Sequence, residues 1–189
     1  MKRLFILVVI LGASHSLNAQ SYPNTEYPNE VYAYPRDSNI LVRLEKEIST
    51  IDTKIKKSSV ESSYSLDKER STVRITNLNH YSFVFREDSA ILQTPGPADD
   101  SASEPLFHSL LLYKMESSKG KRKIVTMSMN MSSQKSGQTE SVPLNFKKIR
   151  KGYYEITVDR PLPKGEYAFV TKKSDDFTNQ AVIFAFGIE

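Results

Sequence analysis

Apolar and polar positions along the chain fall into short runs bounded by turn residues. The runs are VYAYP (31–35), STVRIT (71–76), YSFVFRE (81–87), FHSLLLYKM (107–115), RKIVTMSMNM (122–131), YYEITV (153–158), EYAFVTK (166–172) and QAVIFAFGI (180–188). They are rich in aromatic and β-branched residues and several alternate apolar with polar, which is the mark of strands. Asn77-Leu78-Asn79, Lys119-Gly120, Ser136-Gly137, Lys151-Gly152 and Ser174-Asp175-Asp176 supply the turns between them. Many short strands with closely spaced turns predict an all-β fold: a single Greek-key, immunoglobulin-like β-sandwich. One segment carries two patterns. Leu41, Leu44, Ile48, Ile51 and Ile55 recur at helical spacing, yet Ile51, Thr53 and Ile55 alternate within a stretch crowded with Ser and Thr. Strands are the preferred reading of residues 40–57; a helix stays open.

The stretch PLPKGEYAFV (161–170) places Leu162, Gly165 and Tyr167 at the spacing Leu-x-x-Gly-x-Tyr. That spacing resembles the tyrosine corner of Greek-key sandwiches, where a ring enters the core and its hydroxyl returns to upstream backbone. Glycine permits the sharp turn, and the buried hydroxyl needs a partner. These three residues are expected to be structural.

Composition changes the picture at the ends. Met1 to Ala19 has the layout of a secretory signal: Lys2 and Arg3, an apolar run from Leu4 to Leu11, and Leu17-Asn18-Ala19 before Gln20. The apolar run is too short to span a bilayer, so no transmembrane segment is expected after cleavage. Residues 20–30 (QSYPNTEYPNE) repeat Tyr-Pro-Asn without periodicity and read as a flexible leader, with the sandwich domain spanning 31–189. Removing Lys2 and Arg3 lowers Lys plus Arg from 26 to 24 against 22 Asp plus Glu, so the formal charge falls from +4 to +2. So weak a balance argues against a nucleic-acid partner. The absence of cysteine excludes disulfides and a cysteine-linked lipid anchor. The expected location is periplasmic or extracellular in a Gram-negative bacterium, with an envelope protein or glycan as partner.

Together VYAYP…NILVRLEKE (31–47), STVR, FVFR, LLLYKM, PLPKGEYAFV and the ending FAFGIE resemble a group of uncharacterised exported bacterial β-sandwich proteins. The resemblance implies a fold and no activity. A partial likeness, through Pro-x-Gly-x-Tyr, is to the C-terminal sorting domains of a Gram-negative secretion pathway. Those end in a basic strand, whereas this chain ends Phe186-Gly187-Ile188-Glu189.

Candidate chemistry is sparse. The mature chain holds two histidines, His80 and His108, at strand edges, where a solvated or hydrogen-bonded side chain is the ordinary reading. No nucleophile elbow, phosphate loop or paired-carboxylate signature is present, and Asp99 and Asp100 read as loop solubilisers. No catalytic residue and no cofactor are expected. Met127, Met129 and Met131 alternate with polar residues. With Val125 they read as the inward face of a core strand; as soft thioethers they suit copper(I), which makes a periplasmic metal handler the alternative function. The basic clusters KGKRK (119–123) and KKIRK (147–151) read as solvated tips, balanced by Glu45, Glu47 and Glu61. QTPGPADDSASEP (93–105) reads as a long surface loop. Asp88-Ser89-Ala90 and Asp100-Ser101-Ala102 match an Asp-Ser-small O-glycosylation signature, with Ser101 the preferred site and Ser89 the second. The chain is thus expected to be a non-enzymatic binding or structural module, with a sorting or surface-associated domain as a third reading.

Overall fold

The computed structural model describes residues 22–76, 80–88, 109–172 and 179–189. The signal segment, the loop 93–105, Ser89, Ser101, Asp99, Asp100 and His108 lie outside the described residues.

The fold is all-β, two sheets that share an apolar layer and are antiparallel except where short Arg74 and Ile75 run parallel to Gly187 and Ile188. The smaller sheet has the order β12 (Leu144–Arg150), β13 (Tyr153–Val158), β7 (Tyr81–Arg86), β1 (Val31–Pro35) and β2 (Val42–Arg43). The larger runs β3 (Glu45–Thr50), β15 (Gln180–Ile188), β14 (Gly165–Lys172), β8 (Leu110–Ser118), β9 (Lys121–Asn130), β5 (Ser59–Asp67) and β4 (Asp52–Lys56). Short β6 (Arg74–Ile75), β10 (Lys135–Gly137) and β11 (Ser141–Val142) join β15, β9 and β8. Residues 40–57 are extended, not helical.

Alternation explains the shared layer. Val31 and Ala33 of β1, Phe83 and Phe85 of β7, and Ile156 of β13 meet Leu110, Leu112, Tyr167, Phe169, Phe184 and Phe186 of the larger sheet. Phe83 packs edge-on against Phe169 with centroids 4.8 Å apart, the geometry the ring quadrupole favours. The intervening residues of the smaller sheet are also buried, because Tyr32, Tyr34 and Val84 are covered on the far face. The cover includes the leader. Residues 22–30, expected outside the fold, lie on it: Tyr22 packs on Tyr34, Tyr27 N donates to Tyr32 Oη at 3.0 Å, and Asn29 N donates to Arg86 O at 2.6 Å. Burial, then a hydrogen bond with Glu155, pushes the Tyr22 phenol up to about 12. The physical reason is that two buried strands present a second apolar face, and tyrosines from the leader are long enough to cap it.

The larger sheet curls on its other face. Only Ile51 separates β3 from β4, yet β3 pairs with β15 and β4 with β5, so the ring of pairing through β15, β14, β8, β9 and β5 returns on itself. Ser49 Oγ bridges the closure, donating to Ser65 O at 3.1 Å and accepting from Ser65 N at 3.2 Å. Small residues at Ala168, Ala181 and Ala185 let the walls approach, and Tyr64, Leu66, Met115, Ile124, Val170 and Ile183 fill this second core.

Candidate functional site

Tyr167 is buried at the seam of the two sheets. Its hydroxyl donates to Pro163 O at 2.8 Å and its ring stacks on Phe186. Gly165 has φ +151°, a backbone conformation that a side chain rarely adopts, so the turn calls for glycine. Leu162 is also buried. This arch is architectural.

One end of the curled sheet holds a buried ionic cluster. Arg122, fully buried, donates to Glu45 Oε1 at 2.5 Å, to Lys68 O at 3.1 Å and to Asp67 O at 3.2 Å, with Glu166 Oε2 at 3.9 Å from its Nη1. Glu166 in turn pairs with Arg74 at 2.5 Å and accepts from Ser71 N at 2.8 Å, while Arg74 reaches Glu189 at 3.0 Å. Glu45 also accepts from Ser71 Oγ and Thr72 N. Burial alone would raise the Glu45 carboxyl, but hydrogen bonds from Arg122, Thr72 and Ser71 outweigh it and hold the group below its ordinary value. These contacts fasten residues 67–75 across the end of the curled sheet. The reading of KGKRK as a solvated tip is therefore corrected at Arg122. Alternation from the Lys119-Gly120 turn sends that one side chain inward, where it survives because carboxylates and carbonyls meet it.

The other basic cluster sits on β12, the outer strand of the smaller sheet. Lys147, Lys148 and Arg150 are exposed, and Arg150 lies 4.0 Å over the Tyr153 ring. With the register shift between Lys148 and Arg150, these cations deter edge pairing. His80 is exposed and meets Asp37 at 3.1 Å, an isolated surface pair. Among the described residues no group of three or more His, Cys, Asp or Glu is placed to hold a metal ion, and no helix is long and apolar enough to cross a membrane. A cavity of about 140 Å³ lies against Tyr64, Tyr113, Ile124, Val170 and Thr139. It is smaller than the few hundred Å³ that drug-sized ligands occupy.

The surface that departs most from ordinary solvation lies beyond the closure. There β9, β5, β4 and β10 continue as an arm. Across the arm Met129 pairs with Val60 and Val60 with Ile55; one step along, Met127 pairs with Ser62 and Ser62 with Thr53. Paired residues share a face, so Ile55, Val60, Met129 and Met127 form one apolar field. Relative exposures are 76% for Ile55, 44% for Met127, 46% for Met129 and 55% for Met131, values foreign to a core. The expected inward methionine stripe is thus corrected: these side chains face solvent. A bulge decides which face they take, and the arm's extension past the strands that cover that face leaves them exposed. Ser63 pairs with Val125 but neighbouring Ser62 pairs with Met127, so Thr126 is the extra residue and the face flips between Val125 and Met127. Lys54 and Lys56 pair with Glu61 and Ser59 and occupy the opposite face. β4 ends the strand order, and all five of its residues are exposed. Sequence reading missed this arm because β5 (SVESSYSLD) is diluted by serine and was not recognised as a strand.

No family model, curated protein or solved structure matches the chain.

Proposed function

We propose that the chain is an exported, non-catalytic binding module of the cell envelope that docks an extended protein segment along β4. The observation that carries this is the row of exposed Ile55 and Met129 on either side of half-buried Val60, leading to an outermost strand. A segment added beside β4 would gain main-chain hydrogen bonds and set alternate side chains on the two faces of the arm. On one face those side chains would meet Ile55; on the other they would meet Lys54 and Lys56. The complementary segment therefore alternates apolar with acidic residues. Lysines on an edge disfavour neutral or basic strands, so the same residues that deter aggregation supply the selectivity.

The test uses two synthetic peptides, one alternating valine with glutamate and one alternating valine with lysine, titrated against the mature chain by fluorescence anisotropy. The glutamate peptide should bind at least tenfold tighter than the lysine peptide, and Ile55→Asp should abolish its binding. Equal binding of both peptides, binding of neither, or binding indifferent to Ile55→Asp overturns the proposal.

A further inference from the structure

We infer that Met127, Met129 and Met131 form a thioether site for a soft monovalent cation, copper(I) or its analogue silver(I). The inference goes beyond strand docking and does not rest on it, although both use the same face. Met127 and Met129 share a face of β9 one repeat apart, and Met131 follows where the strand ends, its N donating to Ser58 O at 2.8 Å. Alternate residues of a strand stand roughly 7 Å apart, and a methionine side chain has three rotatable bonds, so two or three sulfurs can converge on one ion without moving the backbone. All three side chains are exposed, hence free to reorient and open to an ion from solvent. A packed methionine such as Met115, buried in the second core, has neither freedom.

The surroundings select the metal. Thioethers are soft donors that suit copper(I) and offer little to magnesium, calcium or zinc. The chain has no cysteine, so no thiolate competes for the ion. The lysines of the neighbouring strands face away: Lys54, Lys56 and Lys135 pair with Glu61, Ser59 and Asn130, which puts them on the face opposite Met129. Binding requires no redox step, since the ion enters and leaves as the monovalent species.

The test is anaerobic competition of the mature chain with a chromophoric copper(I) chelator, alongside methyl spectra of the methionines titrated with silver(I). One ion per chain should leave the chelator, and the methyl signals of Met127, Met129 and Met131 should shift while that of Met115 stays. The triple variant Met127→Leu/Met129→Leu/Met131→Leu keeps an apolar face of similar volume. It should lose at least tenfold in copper(I) affinity and retain the glutamate peptide, whereas Ile55→Asp should lose the peptide and retain copper(I). No withdrawal of metal, undiminished withdrawal by the triple-leucine variant, or shifts that include Met115 equally would overturn the site. A triple variant whose thermal midpoint falls is replaced by Met129→Leu alone, for which a loss of threefold or more is expected and unchanged affinity is refuting.

Discussion

Arg122→Met is the perturbation that best probes the end of the curled sheet. The guanidinium is fully buried and makes hydrogen bonds to Glu45, Lys68 O and Asp67 O, with Glu166 3.9 Å away. Methionine approximates its volume, so the cost is electrostatic rather than a cavity. Removing one partner of a buried pair costs about 3–5 kcal/mol, because the remaining charge stays desolvated and unpaired. Here Glu166 retains Arg74 and Glu45 retains Ser71 and Thr72, which places the cost near the lower end, about 3 kcal/mol. With a urea m-value of about 2 kcal/mol per molar, the unfolding midpoint should fall by roughly 1.5 M. Against a total stability of about 5–15 kcal/mol this is a large fraction. Glu45→Gln keeps an acceptor for Ser71 and Thr72 while removing the charge. In a double-mutant cycle the pair Arg122→Met/Glu45→Gln should therefore cost less than the two single changes together by at least about 1 kcal/mol. Urea unfolding followed by circular dichroism measures all four corners. A cost below about 1 kcal/mol for Arg122→Met, or strictly additive costs, would refute the view of Arg122 as the keystone of this cluster.

Tyr167→Phe strands the Pro163 carbonyl without its 2.8 Å donor and should cost about 1–3 kcal/mol in the same assay, while Tyr153→Phe on the half-buried outer ring should cost less. Gly187→Ala puts a Cβ 1.6 Å from Arg74 Nη1 and must expel that side chain from Glu166 and Glu189; a loss of about 1–3 kcal/mol is expected, and no loss would show that Arg74 contributes nothing there. Acid should weaken the fold through Glu30 and Glu45. Both carboxyls are buried against their interest, but hydrogen bonds from Arg43 and Lys46 to the first, and from Arg122, Thr72 and Ser71 to the second, hold them below the ordinary carboxylate value. A lowered carboxylate contributes stability above its unfolded value that is lost as pH falls through the folded one. Melting temperature should thus drop below about pH 4.5, and Glu45→Gln should flatten that limb.

The sandwich was legible because its strands carry their burial in their own composition. The runs at 31–35, 81–86 and 180–188 are buried nearly throughout, and a buried strand reads as an apolar run whatever covers it. The Tyr167 arch was legible for a local reason, since glycine, ring and returning hydroxyl lie within a few residues. The curl of the larger sheet was not, because it depends on alanines that read as neutral in sequence and on a strand that changes partner at Ile51. The leader escaped because Tyr22 and Tyr27 find their partners in β1 and β2, far from any local pattern.

The methionines show where period-two reasoning stops. Val125, Met127, Met129 and Met131 form an unbroken alternation, so one buried member implied that all were buried. A single inserted residue at Thr126 separates them, leaving Val125 on one face and Met127 and Met129 on the other. That other face is the interior face of the curl, shared with Tyr64 and Ile124, carried on past the point where walls exist to cover it. An ordinary arm of this kind would be expected to turn polar once uncovered. Ser59, Ser62 and Ser128 of the arm lie beside three methionines and an isoleucine that did not. Apolar residues retained at solvent-facing positions break the agreement between pattern and burial that holds elsewhere in the chain, and such breaks concentrate at functional surfaces. Leucine or valine would serve a purely apolar contact with stiffer side chains and better-defined rotamers. Methionine at positions 127, 129 and 131 adds flexible sulfur to that surface, which is the property a soft cation reads and a docked strand does not require.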